Sequence, residues 1–358
     1  MASKVYFIKA SIDDGTEVLS EKARRLFRAG GFADCFEAND FAAIKIHVGE
    51  HRNNTFIPAP CLKGLIDELS ILKTNAFLTD TTTLYVSRRR NAIDHTVVAA
   101  EHGFSLEALG IPFIVADGLF GTSQTSVEID GEIDKEVYIA TDIVKCHALL
   151  SVAHFTGHIM AGVGATLKTL GMGCASKRGK LKQHAAVKLN IGDGCTLCRA
   201  CFEHCPADAI TLDAIQAHID QDKCIGCAEC MEVCRFGAVE CNWGTETEVI
   251  QKSIAEHALG AVKNKESKSA FFNFVMSITK DCDCFGTPNM PRVVKDIGIV
   301  ASRDPVAIDV AALDLVEDKA GGKFSKLIDK ERVNPRCQFE HAERIGLGSC
   351  DYELVEIE

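Results

Sequence analysis

Two runs of four cysteines with identical spacing constrain this chain more than any other feature. Cys195, Cys198, Cys201 and Cys205 form the first, and Cys224, Cys227, Cys230 and Cys234 the second, each reading C-x2-C-x2-C-x3-C. Thiolates two residues apart wrap one face of an iron-sulfur cubane, and a fourth displaced by three residues at a helix start points elsewhere. Paired C-x2-C units also hold zinc, but two identical four-member runs favour cubane clusters. The chain holds 17 cysteines in 358 residues. An odd count in a long chain without an export signal argues for metal ligation rather than a disulfide framework.

The runs resemble the bacterial two-cluster ferredoxin family over about fifty residues, and they share its Pro206, its Ala207 to Ile210 segment and its Ile225-Gly226 pair. The resemblance implies two [4Fe-4S] clusters with an exchanged fourth ligand. Cys195, Cys198, Cys201 and Cys234 would hold one, and Cys224, Cys227, Cys230 and Cys205 the other. Arg235 stands where the family repeats its proline, a departure that leaves ligation intact.

The rest of the sequence sets the frame. A formal charge of -11 spread along the chain argues against nucleic acid or an anionic membrane surface as partner. Met1 to Ala10 lacks a signal-peptide pattern and no apolar stretch is long enough to insert in a membrane, so a cytoplasmic protein is expected.

Short apolar runs alternate with helical stretches through the first half: Val5 to Ile8, then Glu17 to Ala29; Ala42 to Val48, then Cys61 to Lys73; Ala76 to Leu78, the helix Ile93 to His102, and Ile111 to Ala116. A hairpin pairing Ser126 to Ile129 with Glu136 to Ile139 about Asp130-Gly131 reads as an edge feature. After the cysteine-rich region, a helix around Val249 to Val262, strands at Ala270 to Ile278 and Ile297 to Val300, and a helix from Pro305 to Lys319 complete the pattern. The fold class expected is α/β: a largely parallel sheet with helices on both faces, interrupted by a small α+β ferredoxin-like module. Residues 1–187 and 243–358 would form the larger domain, with 188–242 inserted.

Lys45 to Glu50, Thr79 to Thr83, Lys145 to His147, His154 to His158, Gly162 to Lys180, Asp281 to Cys284 and Asp304 to Asp309 together resemble a family of prokaryotic iron-sulfur centre proteins built on a domain of unknown function. That resemblance spans nearly the whole chain and carries no reaction. The residues themselves supply candidates. On a strand, Cys282 and Cys284 would share a face and present two sulfurs to one soft metal, with Asp281 and Asp283 raising their thiol pKa values unless a cation intervenes. His154 and His158 would share a face only on a helix, which Gly157 opposes, and His158 joins the cysteines as a candidate metal ligand. His47 follows a strand and falls at its carboxyl end, where open α/β sheets bind ligands, with Lys45 expected on the opposite face unless the strand ends there. Gly162 to Gly173 and the basic turn Lys177 to Lys180 offer amides and cations to an anion, and Arg88 to Arg90 reads as a solvated basic loop.

The expectation is therefore an electron-transfer protein, best read as a redox enzyme. A ferredoxin or reductase partner would feed two [4Fe-4S] clusters, which would pass electrons to a small anionic substrate or a third metal centre. Cys282 and Cys284 would hold the reacting centre, and His47, His154 and Lys168 would bind or protonate substrate. A non-catalytic carrier or redox sensor, and a metal or cofactor maturation protein, are the alternatives.

Overall fold

In the computed structural model, residues 2–184, 189–224, 230, 233–241 and 247–358 are described. Eight strands form one central sheet: β1 (Ser3–Lys9), β2 (Phe41–Lys45), β3 (Asn75–Asp80), β4 (Phe113–Val115), β5 (Ala148–His154), β6 (Ser269–Val275), β7 (Gly298–Ser302) and β8 (Tyr352–Glu356). Their order across the sheet is β8-β1-β7-β6-β5-β2-β3-β4. β7 is antiparallel to both its neighbours, and every other pairing in this sheet is parallel. The cysteine-rich segment thus lies between β5 and β6, which are adjacent in space.

Alternate side chains of each strand go to opposite faces. Ala42, Ile44, Leu78, Leu150, Phe272 and Phe274 pack with α1 (Thr16–Ala29), α2 (Lys63–Ile71) and α3 (Ala92–Glu101) in one core. Ala43, Phe77, Leu149, Phe271 and Val275 pack with α4 (Thr166–Gly171), α5 (Thr247–Val262) and α6 (Pro305–Ala320) in the other. Because both faces are covered, β5 and β6 are buried at every residue, which is why they read as continuous apolar runs.

The predicted strands and long helices stand within a few residues of their observed bounds. The hairpin differs. Gln124–Glu128 and Glu136–Ala140 pair as their own two-stranded sheet, not as an edge of the main one. Their connection is longer than a two-residue turn: buried Glu256 accepts from the backbone N–H groups of Glu132, Ile133 and Asp134 at 2.6–2.8 Å and holds it in place.

The Asp304 to Asp309 motif is structural. Asp304 caps α6 by accepting from Val306 and Ala307, and Asp309 lies one turn further in.

Candidate functional site: a buried thiol pair beside a cysteine-lined cavity

The carboxyl ends of β2, β3, β5 and β6 fall at one sheet edge, where parallel sheets leave a crevice. A cavity of about 860 Å³ opens there, lined by Lys45, His47 and Glu50, the segment from Asp80 to Arg89, His158, Lys168, Lys180 and the loop Cys282 to Gly286. That volume suits a small molecule.

Cys282 and Cys284 lie in a loop after β6, not on a strand. A turn closed by Phe285 N–H on the Cys282 carbonyl directs both thiols toward one ammonium. The Lys168 ammonium faces both sulfurs, at 3.5 Å from Cys282 and 3.1 Å from Cys284. His47 Nε2 stands 3.3 Å from the Cys284 sulfur. The hydrogen bond from Cys282, with Lys168 and His47, holds Cys284 well below the ordinary thiol range against the pull of burial. Cys282 moves the opposite way, because it keeps the shared proton and is buried. Burial works against the Lys168 charge, but the two sulfurs outweigh it and raise its pKa.

The flanking carboxylates do not act on these thiols as the sequence led us to expect. Asp281 pairs with Lys330 at 2.5 Å. Asp283 accepts from His154 Nδ1 at 2.7 Å and from Thr55 at 2.9 Å. His154 also donates through Nε2 to the Met276 carbonyl at 2.8 Å. With two acceptors, its ring is held protonated, and Asp283 raises its pKa despite burial. His154 thus anchors the cysteine loop from behind and is not among the cavity-lining side chains.

His158 does line the cavity, but its Nδ1 accepts from the Met160 and Ala161 N–H groups. Burial and then Lys168 keep its pKa well below the ordinary value. Among the described residues no three His, Cys, Asp or Glu side chains assemble as a metal-ligand set. The place of a cation beside Cys282 and Cys284 is taken by Lys168.

Lys45 belongs to the cavity after all, because β2 ends there and the chain turns. Its ammonium is 2.9 Å from Asp80. Burial opposes the Asp80 charge, yet Lys45, His95 and His47 hold its carboxyl well below the usual range. Arg89, only 2% exposed, donates to Glu50 at 3.1 Å and to the Tyr85 hydroxyl at 2.7 Å, so the Arg88 to Arg90 segment is no solvated loop. Tyr85 in turn donates to the Cys284 carbonyl at 3.2 Å.

The glycine-rich stretch offers no open anion site at the start of α4. Asp309 already accepts the N–H groups of Thr166 and Leu167 at 2.9 and 2.8 Å. Lys180 is nevertheless turned inward, where burial brings its pKa down to about 8 against Asp117 and Asp80.

A second, enclosed cavity lies in the cysteine-rich module. Cys195, Cys198, Cys201 and Cys234 line it together with Ile191, Leu212, Ala217 and Val239. Four thiols around one apolar cavity are the donor type an iron-sulfur cubane takes, although, as at Cys282 and Cys284, no three of them stand as a metal-ligand set among the described residues. Of the other set, Cys205, Cys224 and Cys230 are described, while Cys227 lies outside the described residues. The two halves repeat each other locally. Ala209 N–H donates to Cys205 sulfur and Ala238 N–H to Cys234 sulfur, each at 3.3 Å. Such N–H to sulfur bonds tune cluster potentials.

One segment links the two cavities. Arg90 donates to the Cys234 carbonyl at 3.1 Å, and Leu84 and Leu181 belong to the module's own apolar core. Leu84 to Arg89 line the large cavity, and Arg90, next in the chain, touches the backbone of a cysteine of the small one.

Residues 42–314 match the family described as Domain of unknown function (DUF362). Short stretches are similar to electron-transport proteins. The chain is 43% identical over 47 residues to a subunit of an ion-translocating oxidoreductase complex of Methanosarcina acetivorans, 13% of this chain and 18% of that one. It is 37% identical over 62 residues to "Electron transport protein HydN" of Escherichia coli K12, 16% of this chain and 35% of that one. The chain thus spans well under half of either relative. A crystal structure of a Thermotoga maritima protein aligns over 86% of this chain and 59% of its own, with 11% identity and a TM-score of 0.43. No helix among the described residues is long and apolar enough to cross a membrane.

Proposed function

This chain belongs to the family described as Domain of unknown function (DUF362), and from that premise we propose that it is a redox enzyme. Its module, an insertion at 188–242 in the larger domain, carries two [4Fe-4S] clusters and delivers electrons to a small molecule in the neighbouring cavity. The observation that carries this reading is the linking segment: Arg90 touches the Cys234 carbonyl, while Tyr85 and Arg89 of the same segment face the cavity. Cys195, Cys198, Cys201 and Cys234 would hold the nearer cluster and Cys205, Cys224, Cys227 and Cys230 the farther one. When bound, the clusters would supply single electrons.

The chain's own residues supply the rest. Lys45, Lys168 and Lys180 give the cavity inward-facing cations, so an anionic substrate is attracted despite the acidic surface. His47, beside the Cys284 sulfur, is placed to exchange a proton with that sulfur or with a bound ligand. A ferredoxin or a reductase is the partner class that would load the clusters.

The competing reading is a carrier whose α/β domain only docks other proteins. To separate them, protein purified without oxygen is reduced with a ferredoxin and mixed with small-molecule and protein fractions of an anaerobic extract of the producing cells. Reoxidation by the small-molecule fraction, slowed in His47→Ala, is the expected result. Reoxidation by the protein fraction alone, at the same rate in the variant, would make the chain a carrier.

A further inference from the structure

The geometry points to Cys282 and Cys284 as a reversible dithiol/disulfide pair that collects two electrons from the clusters and spends them on the disulfide bond of a small anionic molecule. This deepens the enzyme reading above and rests on it.

Three observations converge. The thiols are free, and one turn sets both against the same Lys168 ammonium. They line the cavity together with Leu84 to Arg89, and Arg90, next in the chain, donates to the Cys234 carbonyl, so one segment runs from the pair's cavity to the proposed electron source. An ammonium at 3.1 and 3.5 Å stands where a metal ion would otherwise sit between two sulfurs, and it is suited to hold a thiolate. The division of labour follows from position. Cys282 is 4% exposed and Cys284 is more accessible, with both Lys168 and His47 beside it. Cys284 is therefore the attacking sulfur and Cys282 the resolving one.

The steps balance. Starting from the oxidised pair, the two electrons would be supplied singly by clusters held at the eight module cysteines, each giving up one. The bond between the sulfurs breaks, Cys282 takes up one proton, and Cys284 remains a thiolate against Lys168. That thiolate attacks one sulfur of the substrate disulfide and expels the first product as a thiolate. Cys282 then attacks Cys284, expelling the second product thiolate, which takes the Cys282 proton, and the internal disulfide re-forms. The substrate's negative charge is met by Lys45 and Lys180, which line the same cavity.

The test uses holoprotein prepared without oxygen, with its iron counted, and glutathione disulfide as an anionic probe. After incubation and alkylation, the peptide bearing Cys282 and Cys284 is expected to be two hydrogens lighter and to carry no alkyl group. Reduced ferredoxin is then expected to bleach the clusters and restore both alkylatable thiols. Cys284→Ser should show no internal bond. Two thiols that stay alkylatable throughout would overturn the proposal, as would a disulfide that persists while ferredoxin bleaches the clusters. Failure of the cluster reading is separate: iron would be absent, or bleaching would not occur, and the pair would then lack its electron source.

Discussion

At the scale of single residues, the site turns on one buried ammonium. Lys168 lies 114 residues from Cys282 in the chain, yet it is the cation closest to both sulfurs. Its removal has a definite sign. An acid whose pKa is depressed stays ionised as pH falls below its ordinary range, so alkylation of Cys284 in the native protein should be nearly flat across neutral pH. Lys168→Met should slow that alkylation several-fold at neutral pH and restore a rate that climbs with pH. Labelling with iodoacetamide, read by peptide mass, measures both, and identical profiles would contradict the assignment. Little of this is legible in the sequence. The cysteine runs are local, so their spacing alone declares their chemistry. The Lys168 contact is made only by folding. Flanking Asp281 and Asp283 imply that a thiolate here needs a cation, but not which one, and their own partners, Lys330 and His154, are likewise distant in sequence. Arg89 misleads for a related reason: three consecutive arginines resemble a surface, and only Glu50 and Asp80 make burial of the middle one tolerable.

At the scale of elements, the site is held by bonds between segments rather than within them. Asp309 of α6 accepts from Thr166 and Leu167 at the start of α4 and from the Asn273 amide of β6 at 2.7 Å. It thereby fixes the short helix that carries Lys168. Asp309→Ala strands three buried donors and should destabilise the fold by about 2–4 kcal/mol in urea unfolding. A change within error would mean that α4 is held by packing alone. His154 and Asp283 set a pH window. The histidine's folded pKa is raised, so its contribution is present below the unfolded value and is lost as pH rises through the folded one. The aspartate's is lowered, so its contribution is present above its unfolded value and is lost as pH falls through the folded one. Stability from this pair should therefore peak between those limits. His154→Gln should flatten the urea midpoint against pH, and an unchanged curve would remove the pair from the account. Long periodic elements such as α1 and α6 are readable from sequence. The hairpin of Thr156–His158 and Gly162–Gly164 is not, since three-residue strands carry too little pattern to register.

For the whole molecule, a large α/β body and a small cysteine-rich module lean on different sources of stability. The sheet packs into two extensive cores, whereas the module's core is small and includes Cys201, Cys230 and Cys234 themselves. A unit that small ordinarily needs metal to fold. Stripping the clusters with a chelator under air should therefore abolish one unfolding transition and leave that of the α/β body, as followed by calorimetry. Loss of both transitions together would mean that the module supports the body. β5 and β6, which flank the cysteine-rich segment in the chain, pair with each other in the one large sheet. What the sequence could not convey is that the segment from Leu84 to Arg90 runs from the large cavity to the Cys234 carbonyl.

We propose that this chain holds two four-iron clusters and that Cys282 and Cys284 are a thiol pair held against Lys168 rather than against a metal. The direct measurement is iron, acid-labile sulfide and other metals per chain in protein purified without oxygen, wild type against the Cys282→Ser, Cys284→Ser double variant. The account predicts about eight irons and about eight sulfides in both. Zinc in place of iron, or an excess metal that only the variant loses, would contradict it.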